Sequence, residues 1–349
     1  MSILIVTHSN DNHAPRAVAR ALEARGEQTY RFDTDRFPTE IQLTLDEAGS
    51  GRLSGPEGVL ELEDISAVWY RRGAVGADIP RQMDPQLRQP AVEESRRVVF
   101  GMLAALGVFQ LDAIEQVRRA EHKPLQLKLA RELGLDVPRT LMTNDADEVR
   151  AFAASCSSGV VTKMMSSFAV YGEQGQEQVV FTTPLDKAEL EDLDGLDLCP
   201  MTFQEQVAKA VELRVTVVGD QVMAAAIDSQ SRPGARDDWR REGVALIEAW
   251  QPYTLPESVR LGVLRLMDAL GLNYGAFDFI VTPEGRHVFL EVNPAGEFMW
   301  LMRYPGLPIA EALADVLTGR GVRRLGPGLS LPMLAAVRRV APVIGGVAG

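Results

Sequence analysis

Two apolar segments towards the end of the chain predict an antiparallel β-hairpin. They are Tyr274–Val281 and His287–Asn293, and the turn between them falls at Pro283–Gly285. Side chains alternate between the two faces of a strand, so Glu291 and Asn293, two residues apart, lie on the same side. The apolar residues of the hairpin include Phe277, Phe279, Phe289 and Leu290. A carboxylate on such a hairpin is costly unless it has a partner.

Three polar side chains of this hairpin form the strongest candidate site in the sequence. Asp278 lies on the first strand, and Glu291 and Asn293 lie on the second. Two carboxylates and one amide oxygen on a single face are hard oxygen ligands of the kind that Mg²⁺ prefers, with substrate phosphates completing the octahedron. Solvated polar residues on an edge hairpin are the alternative. The apolar surroundings favour the metal site, because unpaired carboxylates are costly there.

Two lysines form a second signal. Lys123 begins a predicted helix, and Lys163 ends the apolar strand Gly159–Thr162. A lysine that points into a cleft is a good phosphate ligand because its charge is compact, although two solvated lysines are the alternative. The segment Met164–Gly175 is rich in small residues and is expected to close over phosphates with its backbone N–H groups. It is not a Walker loop, because the G-x-x-x-x-G-K pattern is absent. Its small residues include Ser166, Ser167, Gly172 and Gly175.

A third signal begins where another apolar strand ends. Exposed backbone there suits an adenine, with the carbonyl group of Glu205 or Gln206 as acceptor and the backbone N–H of Val207 as donor. Glu212 is a candidate ligand for the ribose hydroxyls. Arg214 faces the same side of its strand and is a candidate bidentate partner for a carboxylate or a phosphate. A surface ion pair between Glu212 and Arg214 is the alternative.

The amino-terminal residues predict a different kind of domain. A strand, a helix and a strand follow one another at Ser2–Thr7, Ala14–Arg25 and Gln28–Phe32, which is a βαβ opening. We therefore expect an α/β protein with further antiparallel sheets. The predicted divisions are an amino-terminal α/β domain (1–112), a central domain with the phosphate-covering loop (113–200), a carboxy-terminal domain with the metal site (201–325) and a tail of unassigned role (326–349).

Composition narrows the partners. The 349 residues carry a net charge of −12, which argues against generic nucleic-acid binding, and no apolar run is long enough to span a bilayer. Met1–Val6 lacks a basic region and a cleavage site, so it is expected to be a first strand rather than a signal peptide. The absence of a targeting signal favours the cytoplasm. Cys156 and Cys199 give no sign of a disulfide framework or a zinc site.

The candidate residues occur in a recognisable order: a lysine, a second lysine with a flexible loop, a hinge with a ribose carboxylate, and Asp followed by Glu-x-Asn. In this order they resemble the ATP-grasp superfamily over roughly residues 115–320. Further runs extend the resemblance over nearly the whole chain to the microviridin-type ATP-grasp ligases, which are peptide macrocyclases also called graspetide synthetases. The runs are Ile3–Ser9, Arg31–Pro38, Val68–Arg72 and Leu127–Thr143. The ATP-binding part also resembles the glutamate ligase that modifies a ribosomal protein.

The resemblance implies the α+β ATP-grasp fold and a ligase that depends on ATP and Mg²⁺. In that family a Glu or Asp side chain of a ribosomal precursor peptide becomes an acyl phosphate, and a Thr, Ser or Lys side chain of the same peptide then closes a ring. The amino-terminal runs are nearest to ester-forming members, so we expect an ω-ester rather than an ω-amide. A leader peptide that assists the enzyme and a homodimer are also expected.

The resemblance also implies roles for individual residues. Lys123 and Lys163 are expected on phosphates, and Lys163 and Arg214 are expected to neutralise the γ-phosphate together with Mg²⁺. Arg240 or Arg241 is expected to help hold the reacting carboxylate, with a solvated charged loop as the alternative. Two other functions stay open, a ligase for free amino acids or peptide tails and an ATP-binding regulator without catalysis. The intact metal ligands argue against the regulator.

An acidic segment, residues 189–197, is a candidate docking site for the leader. Leucines recur every three residues among the acids, at Leu190, Leu193 and Leu196. This spacing predicts a helix with a leucine stripe. Glu191, Asp192 and Leu193 are expected to bind the leader, which should then carry Arg or Lys beside Phe or Leu. The alternative is a helix whose leucines pack on their own domain and whose acids are solvated.

Overall fold

The amino-terminal part of the chain is built on a parallel sheet, as the βαβ opening predicts. The computed structural model of the chain describes residues 1–164, 169–171, 177–179 and 181–324. The first elements are β1 (Ser2–Thr7), α1 (His13–Glu23), β2 (Gln28–Asp33), β3 (Gln42–Leu45), β4 (Gly51–Gly55), β5 (Gly58–Glu61), β6 (Ile65–Tyr70), α2 (Pro85–Ala105) and β7 (Phe109–Leu111). The parallel sheet has the order β2-β1-β6-β7, and β3, β4 and β5 form a separate antiparallel sheet. Strand β1 is almost entirely buried, as expected of a parallel strand covered on both faces.

A four-stranded antiparallel sheet follows. Its region contains α3 (Ile114–Ala120), α4 (Lys123–Glu132), β8 (Thr140–Thr143), α5 (Ala146–Ala154), β9 (Val160–Lys163), β10 (Ala169–Tyr171), β11 (Glu177–Val179), β12 (Thr183–Pro184), α6 (Lys187–Glu191) and β13 (Met201–Glu205). The sheet has the order β12-β9-β13-β8. Because β13 belongs to it, the boundary predicted at residue 200 falls inside this sheet. The division of the chain into domains stays a prediction.

A five-stranded sheet carries the hairpin predicted from the sequence. The elements here are β14 (Val211–Val218), β15 (Gln221–Ile227), α7 (Gly243–Leu246), β16 (Gln251–Tyr253), α8 (Glu257–Leu270), β17 (Tyr274–Val281), β18 (His287–Asn293), α9 (Met299–Arg303) and α10 (Ile309–Leu317). The strands form an antiparallel sheet in the order β16-β15-β14-β17-β18. Residues of α4 and α8 share a buried core with one face of this sheet, and α10 packs against α1 beside the other face. Mixed helices and antiparallel sheets confirm the predicted fold class.

One local prediction is wrong. The acidic segment is not one helix over 189–197. Helix α6 ends at Glu191, and Gly195 has a φ of 83°, a left-handed conformation that interrupts a helix.

Some predictions concern residues outside the described part of the chain. These are most of the phosphate-covering loop, including Ser166, Ser167, Gly172 and Gly175, and the tail 326–349. Among the described residues, no helix combines the length and the apolar character that a bilayer crossing requires.

A buried glutamine attaches the edge strand β18 to helix α4. The Gln126 side chain is 1% exposed. Its Nε2 atom donates to the carbonyl oxygens of Val292 (2.8 Å) and Ala120, and its Oε1 atom accepts from the N–H of Val292 at 3.0 Å. Val292 lies between Glu291 and Asn293, so this amide fixes the backbone that carries two predicted metal ligands.

We predict that Gln126→Ala lowers the free energy of unfolding by about 2–4 kcal/mol, because buried backbone groups of Val292 and Ala120 lose their partner. Urea denaturation of the purified chain measures the change. The control is Gln221→Ala at an exposed position of β15, for which we expect a change within about 0.5 kcal/mol. Equal losses in the two variants would contradict the anchoring role of Gln126.

Candidate active site

Three adjacent strands carry the charged side chains of the candidate site. Arg214 on β14 lies opposite Asp278 on β17, and Asp278 lies opposite Glu291 on β18. Asn293 follows on the same face of β18, two pairs further along and opposite Ala276. The alternation sends the neighbouring Phe277 to the opposite face, where it is buried in the core beneath α8. The pattern of apolar and charged residues thus separates the charges from the core.

Each predicted metal ligand is in contact with a cation of the chain. The Arg214 Nη1 atom donates to both carboxylate oxygens of Asp278, at 2.7 and 2.9 Å. The Lys123 Nζ atom lies 2.9 Å from Oε2 of Glu291 and donates to Oδ1 of Asn293 at 3.3 Å. The Asn293 Nδ2 atom donates to Oε1 of Glu291 at 3.2 Å, which fixes the orientation of the amide. The structure therefore brings Lys123, at the start of α4, to the predicted site.

Burial and neighbouring charges oppose each other on these groups. Burial raises the pKa of Glu291, but Lys123 and Lys163 outweigh it and bring the pKa to about 2. Burial also raises the pKa of Asp278, with Arg214 acting in the opposite direction. Burial lowers the pKa of Lys163, while the charge of Glu291 raises it. Lys163, at the end of β9, therefore interacts electrostatically with the charged groups around Glu291 and Asp278.

The donor chemistry of Asp278, Glu291 and Asn293 fits a magnesium ion. Two carboxylates and an amide oxygen are hard donors, and a Glu291 pKa of about 2 keeps this carboxylate ionised at neutral pH. In the part of the chain that the structure describes, no cluster of three or more His, Cys, Asp or Glu side chains is able to hold a metal ion. A metal here therefore depends on substrate oxygens as well, which is how Mg²⁺ is usually held beside nucleotide phosphates.

The predicted adenine segment is anchored at the end of β13. The backbone N–H groups of Glu205 and Gln206 donate to the carbonyl oxygens of Arg139 and Gly159, both at 2.9 Å. Counting described residues only, the N–H of Val207 has no hydrogen-bond partner in the chain. The N–H of Val207 can therefore donate to a ring nitrogen of adenine. Carbonyl groups of the same segment can accept from the adenine amino group.

Glu212 is partly buried, with 14% of its side chain exposed, and its partner is Lys209 rather than Arg214. The Lys209 Nζ atom lies 3.0 Å from Oε1 of Glu212 and donates to the carbonyl oxygen of Asp237 at 2.8 Å. Burial raises the pKa of Glu212 in spite of the lysine. The alternative of a surface ion pair between Glu212 and Arg214 is wrong. Lys209 has no signal in the sequence beyond its position before Glu212.

Two consecutive arginines in the turn before α7 point to different places. The Arg240 Nε atom donates to Asp238 at 2.8 Å, and this hydrogen bond raises the pKa of Arg240, to which the charge of Asp278 also contributes. Arg241 is exposed, and its Nη2 atom donates to the Thr183 hydroxyl at 3.1 Å. The structure brings Arg240 to the charge cluster and directs Arg241 to the end of β12.

The residues predicted to bind a leader lie on another part of the surface. Glu191 and Asp192 are exposed where α6 ends, whereas Leu193 is partly buried against the core around Leu196. The predicted leucine stripe therefore packs on its own domain. An open groove of about 500 Å³ lies beside it, lined by Asn144, Asp145, Ala146 and residues 193–197. Leu198, 84% exposed, extends this surface with an apolar side chain.

Sequence reasoning missed a clamp between the amino-terminal sheet and the segment 294–297 after β18. Arg71 is 2% exposed, and its Nη2 atom lies 2.8 Å from Oε1 of Glu297. Its Nε atom lies 3.5 Å from Oδ2 of Asp11, and Nη1 donates to backbone carbonyls of segment 294–297. The Arg72 Nη2 atom lies 2.6 Å from the same oxygen of Glu297. We call Arg71, Arg72 and Glu297 the arginine clamp.

The sequence does contain a signal for this clamp. The two arginines directly follow β6, a buried parallel strand, and open α/β sheets place their functional groups at the carboxyl ends of such strands. Their partner Glu297 lies more than two hundred residues away, so the pairing itself has no local signature.

The arginine clamp and Arg214 converge on the same short segment. The Arg214 Nη2 atom lies 3.5 Å from the carbonyl oxygen of Glu297, and its guanidinium lies 5.4 Å from the centre of the Trp300 ring. A Cβ atom at Gly296 would lie 3.4 Å from Arg214 Nη2 and 2.4 Å from the Ala276 side chain. Glycine is therefore required at 296 for this close approach.

Comparison with known proteins finds one family match for the amino-terminal third of the chain and another for most of the remainder. Residues 2–118 match the MvdD pre-ATP grasp domain, and residues 120–317 match the RimK-like ATP-grasp domain. The second match alone covers more than half of the chain. Curated relatives are probable alpha-L-glutamate ligases, and the chain spans 66% of the length of the first of these, at 26% identity.

Three solved structures are similar over nearly the whole length. The macrocyclase MdnC bound with precursor peptide MdnA, from Microcystis aeruginosa, is 47% identical, with a TM-score of 0.83 over 91% of this chain and 100% of that one. A RiPP-associated ATP-grasp ligase of Chryseobacterium gregarium, in complex with ADP and a leader and core peptide, is 38% identical, with a TM-score of 0.88 over 94% and 100%. The ligase PsnB, complexed with a precursor variant, Mg and ADP, is 26% identical, with a TM-score of 0.72 over 92% and 99%.

The arginine clamp gives a matched pair of variants. We predict that Arg71→Met lowers the free energy of unfolding by about 2–4 kcal/mol, because it removes a buried cation from Asp11 and from two carbonyl groups. Arg72→Met should lower it by about 1 kcal/mol or less, since that side chain is 35% exposed. Urea denaturation measures both changes. A loss for Arg72→Met as large as that for Arg71→Met would contradict this account of the clamp.

Proposed function

Because the chain belongs to the RimK-like ATP-grasp ligases and is similar along its length to macrocyclases of ribosomal precursor peptides, we propose that it closes side-chain rings in such a peptide. The chain is an ATP-dependent carboxylate ligase that uses ATP and Mg²⁺. The peptide is proposed to supply both partners, a Glu or Asp carboxylate and a Thr, Ser or Lys nucleophile. We propose ω-ester bonds, on the likeness of the amino-terminal runs to ester-forming members.

In the proposed first step, a carboxylate oxygen of the peptide attacks the γ-phosphorus of ATP, and ADP leaves. Bound at Asp278, Glu291 and Asn293, Mg²⁺ would supply positive charge to the phosphates. Lys123 and Lys163 are proposed to hold phosphate oxygens, and Arg214 the reacting carboxylate, with Arg240 beside it. The support for this assignment is the convergence of these side chains on one face of β14, β17 and β18.

In the proposed second step, a hydroxyl or amine of the peptide attacks the acyl carbon, phosphate leaves, and the nucleophile loses its proton. Water competes with this attack, so the site has to be dry. Three packed indoles, one of which lies beside Arg214, contribute to that, with ring centres 5.3–6.4 Å apart. They belong to Trp239, Trp250 and Trp300. Residues of the 164–175 loop are proposed to cover the phosphates.

The nucleotide is proposed to lie between the four-stranded sheet β12-β9-β13-β8 and the five-stranded sheet β16-β15-β14-β17-β18. Its adenine would contact the backbone of Glu205, Gln206 and Val207, and its ribose would contact Glu212. The anchored β13 end and the buried Glu212–Lys209 pair support this position. The shared pair leaves Glu212 one oxygen, Oε2, beyond the Lys209 contact.

Phosphate release separates the proposed function from its alternatives. A cognate ribosomal precursor peptide should stimulate release of phosphate from ATP, and each ring should lower the peptide mass by one water. Free glutamate should give neither result. Phosphate release with free amino acids and no mass change in the peptide would favour a ligase for free amino acids or peptide tails. ATP binding without turnover under any condition would favour a regulator.

We predict that Asp278→Asn, Glu291→Gln and Asn293→Ala each lower peptide-dependent phosphate release at least about 100-fold, because charge on the phosphates is then poorly neutralised. The control, Glu257→Gln, changes an exposed carboxylate paired with Arg260 and should keep the wild-type rate. Circular dichroism checks that the variants fold. A wild-type rate in either carboxylate variant would contradict the metal assignment.

The leader is proposed to dock on residues 189–197 and the adjoining groove. Exposed acids at Glu191 and Asp192, beside Leu193 and the exposed Leu198, offer a rim and an apolar contact. Such a surface suits a basic and apolar leader. A homodimer in the cytoplasm is proposed from the family resemblance and from the location of ATP and ribosomal peptides. Sedimentation velocity tests the dimer.

We predict that replacing Glu191 and Asp192 together with Lys weakens binding of a fluorescently labelled leader about tenfold at low salt and leaves ATP affinity unchanged. Wild-type leader affinity should also fall with salt, because charges at a rim are screened within about 10 Å at 0.1 M. The matched control replaces Glu93 and Glu94, two exposed consecutive acids of α2, with Lys. Equal affinities for the wild type and the Glu191/Asp192 variant would exclude this segment.

A further inference from the structure

The predicted metal ligands already bear cations on the oxygen atoms that a metal would use. Arg214 Nη1 donates to both oxygens of Asp278, and Lys123 Nζ contacts both Glu291 Oε2 and Asn293 Oδ1. Two cations thus contact all three ligands. A divalent ion on the same oxygens would lie within a few ångströms of both cations, and like charges at that distance repel strongly. Metal and side-chain cations are therefore competitors.

We propose that Arg214 and Lys123 are exchangeable counter-cations of the metal ligands, which leave Asp278 and Glu291 when the metal–nucleotide complex binds. The proposal rests on the proposed function, because it takes Asp278, Glu291 and Asn293 as the metal site. Its consequence is an order of events. Arg214 becomes available to a peptide carboxylate only after the metal has taken Asp278, so the acceptor side of the site is assembled by nucleotide binding.

The surroundings of Arg214 offer its guanidinium another position. Its Nη2 atom is within 3.5 Å of the Glu297 carbonyl, and the Trp300 ring lies 5.4 Å from its centre. Its buried Nε atom has no hydrogen-bond partner among the described residues. An aromatic face and a carbonyl group hold a guanidinium by attraction that does not require Asp278. These contacts would hold the guanidinium group once it has left Asp278.

Lys123 has a corresponding destination on the nucleotide side. Lys123 Nζ lies 2.9 Å from Glu291 Oε2. When a metal neutralises Glu291, this ammonium group loses its counter-charge, and phosphate oxygens are suited to replace it. The same exchange would thus deliver Lys123 to the phosphates.

Competition predicts that removal of Arg214 tightens metal binding. The probe is Mn²⁺ with a non-hydrolysable ATP analogue, without peptide, measured by electron paramagnetic resonance and by titration calorimetry. Arg214→Gln should lower the Kd for Mn²⁺ about tenfold, the worth of a charge-assisted contact that the metal no longer has to displace. Arg286→Gln is the control: it removes the same charge from a surface pair with Asp136, which is not a predicted ligand. It should change the Kd by about twofold or less.

A double-variant cycle separates competition at Asp278 from a general effect of charge. In an Asp278→Asn background, Arg214→Gln should no longer tighten Mn²⁺ binding. If Arg214→Gln does not fold, Arg214→Lys, which keeps the charge but loses the planar fork, should tighten binding about threefold. Unchanged or weaker Mn²⁺ binding in both Arg214 variants would overturn the exchange. Wild-type Mn²⁺ affinity in Asp278→Asn alone would instead overturn the metal site, so the two failures are distinguishable.

Discussion

The partly buried charge of Asp278 has to be balanced, and its partners come from several parts of the chain. Asp278 lies between Arg214 and Glu291 on adjacent strands, so an arginine and a second carboxylate share one face of the sheet. Glu291 in turn needs Lys123 from α4 and Lys163 from β9. A single strand pairing thus draws cations from a separate helix and a separate sheet, because buried carboxylates without partners are costly.

In the arginine clamp, a buried charge at the end of a strand of the amino-terminal sheet is likewise balanced by partners from a distant part of the chain. Arg71 is a fully buried cation, and its carboxylate and carbonyl partners lie on the segment that leaves β18. That segment also contacts Arg214 through the Glu297 carbonyl. The pre-ATP grasp part of the chain is therefore attached to the segment that also contacts Arg214, next to the proposed metal ligands.

The sequence predicted most of the polar side chains on the face of β17 and β18 that holds the proposed metal ligands. It predicted few of the side chains that pair with them. Alternation along β17 and β18 identified Asp278, Glu291 and Asn293, because a period of two is local information. The Arg214–Asp278 and Arg71–Glu297 pairs depend on how strands and sheets meet, which no short window contains. The leucine stripe over 189–197 failed for a local reason. Its spacing fits a helix, but Gly195 takes a left-handed conformation, and the leucines reach the core from a turn.

The contacts of β18 also govern how the five-stranded sheet meets other chains. The N–H of Phe289 donates to the Asp136 carbonyl, and the N–H of Val292 donates to Gln126. The opposite margin is β16, a three-residue strand that contains Pro252. Both margins are thereby made poor templates for strand addition. A ligand that reaches this sheet therefore meets the side chains on its face and not a free strand edge.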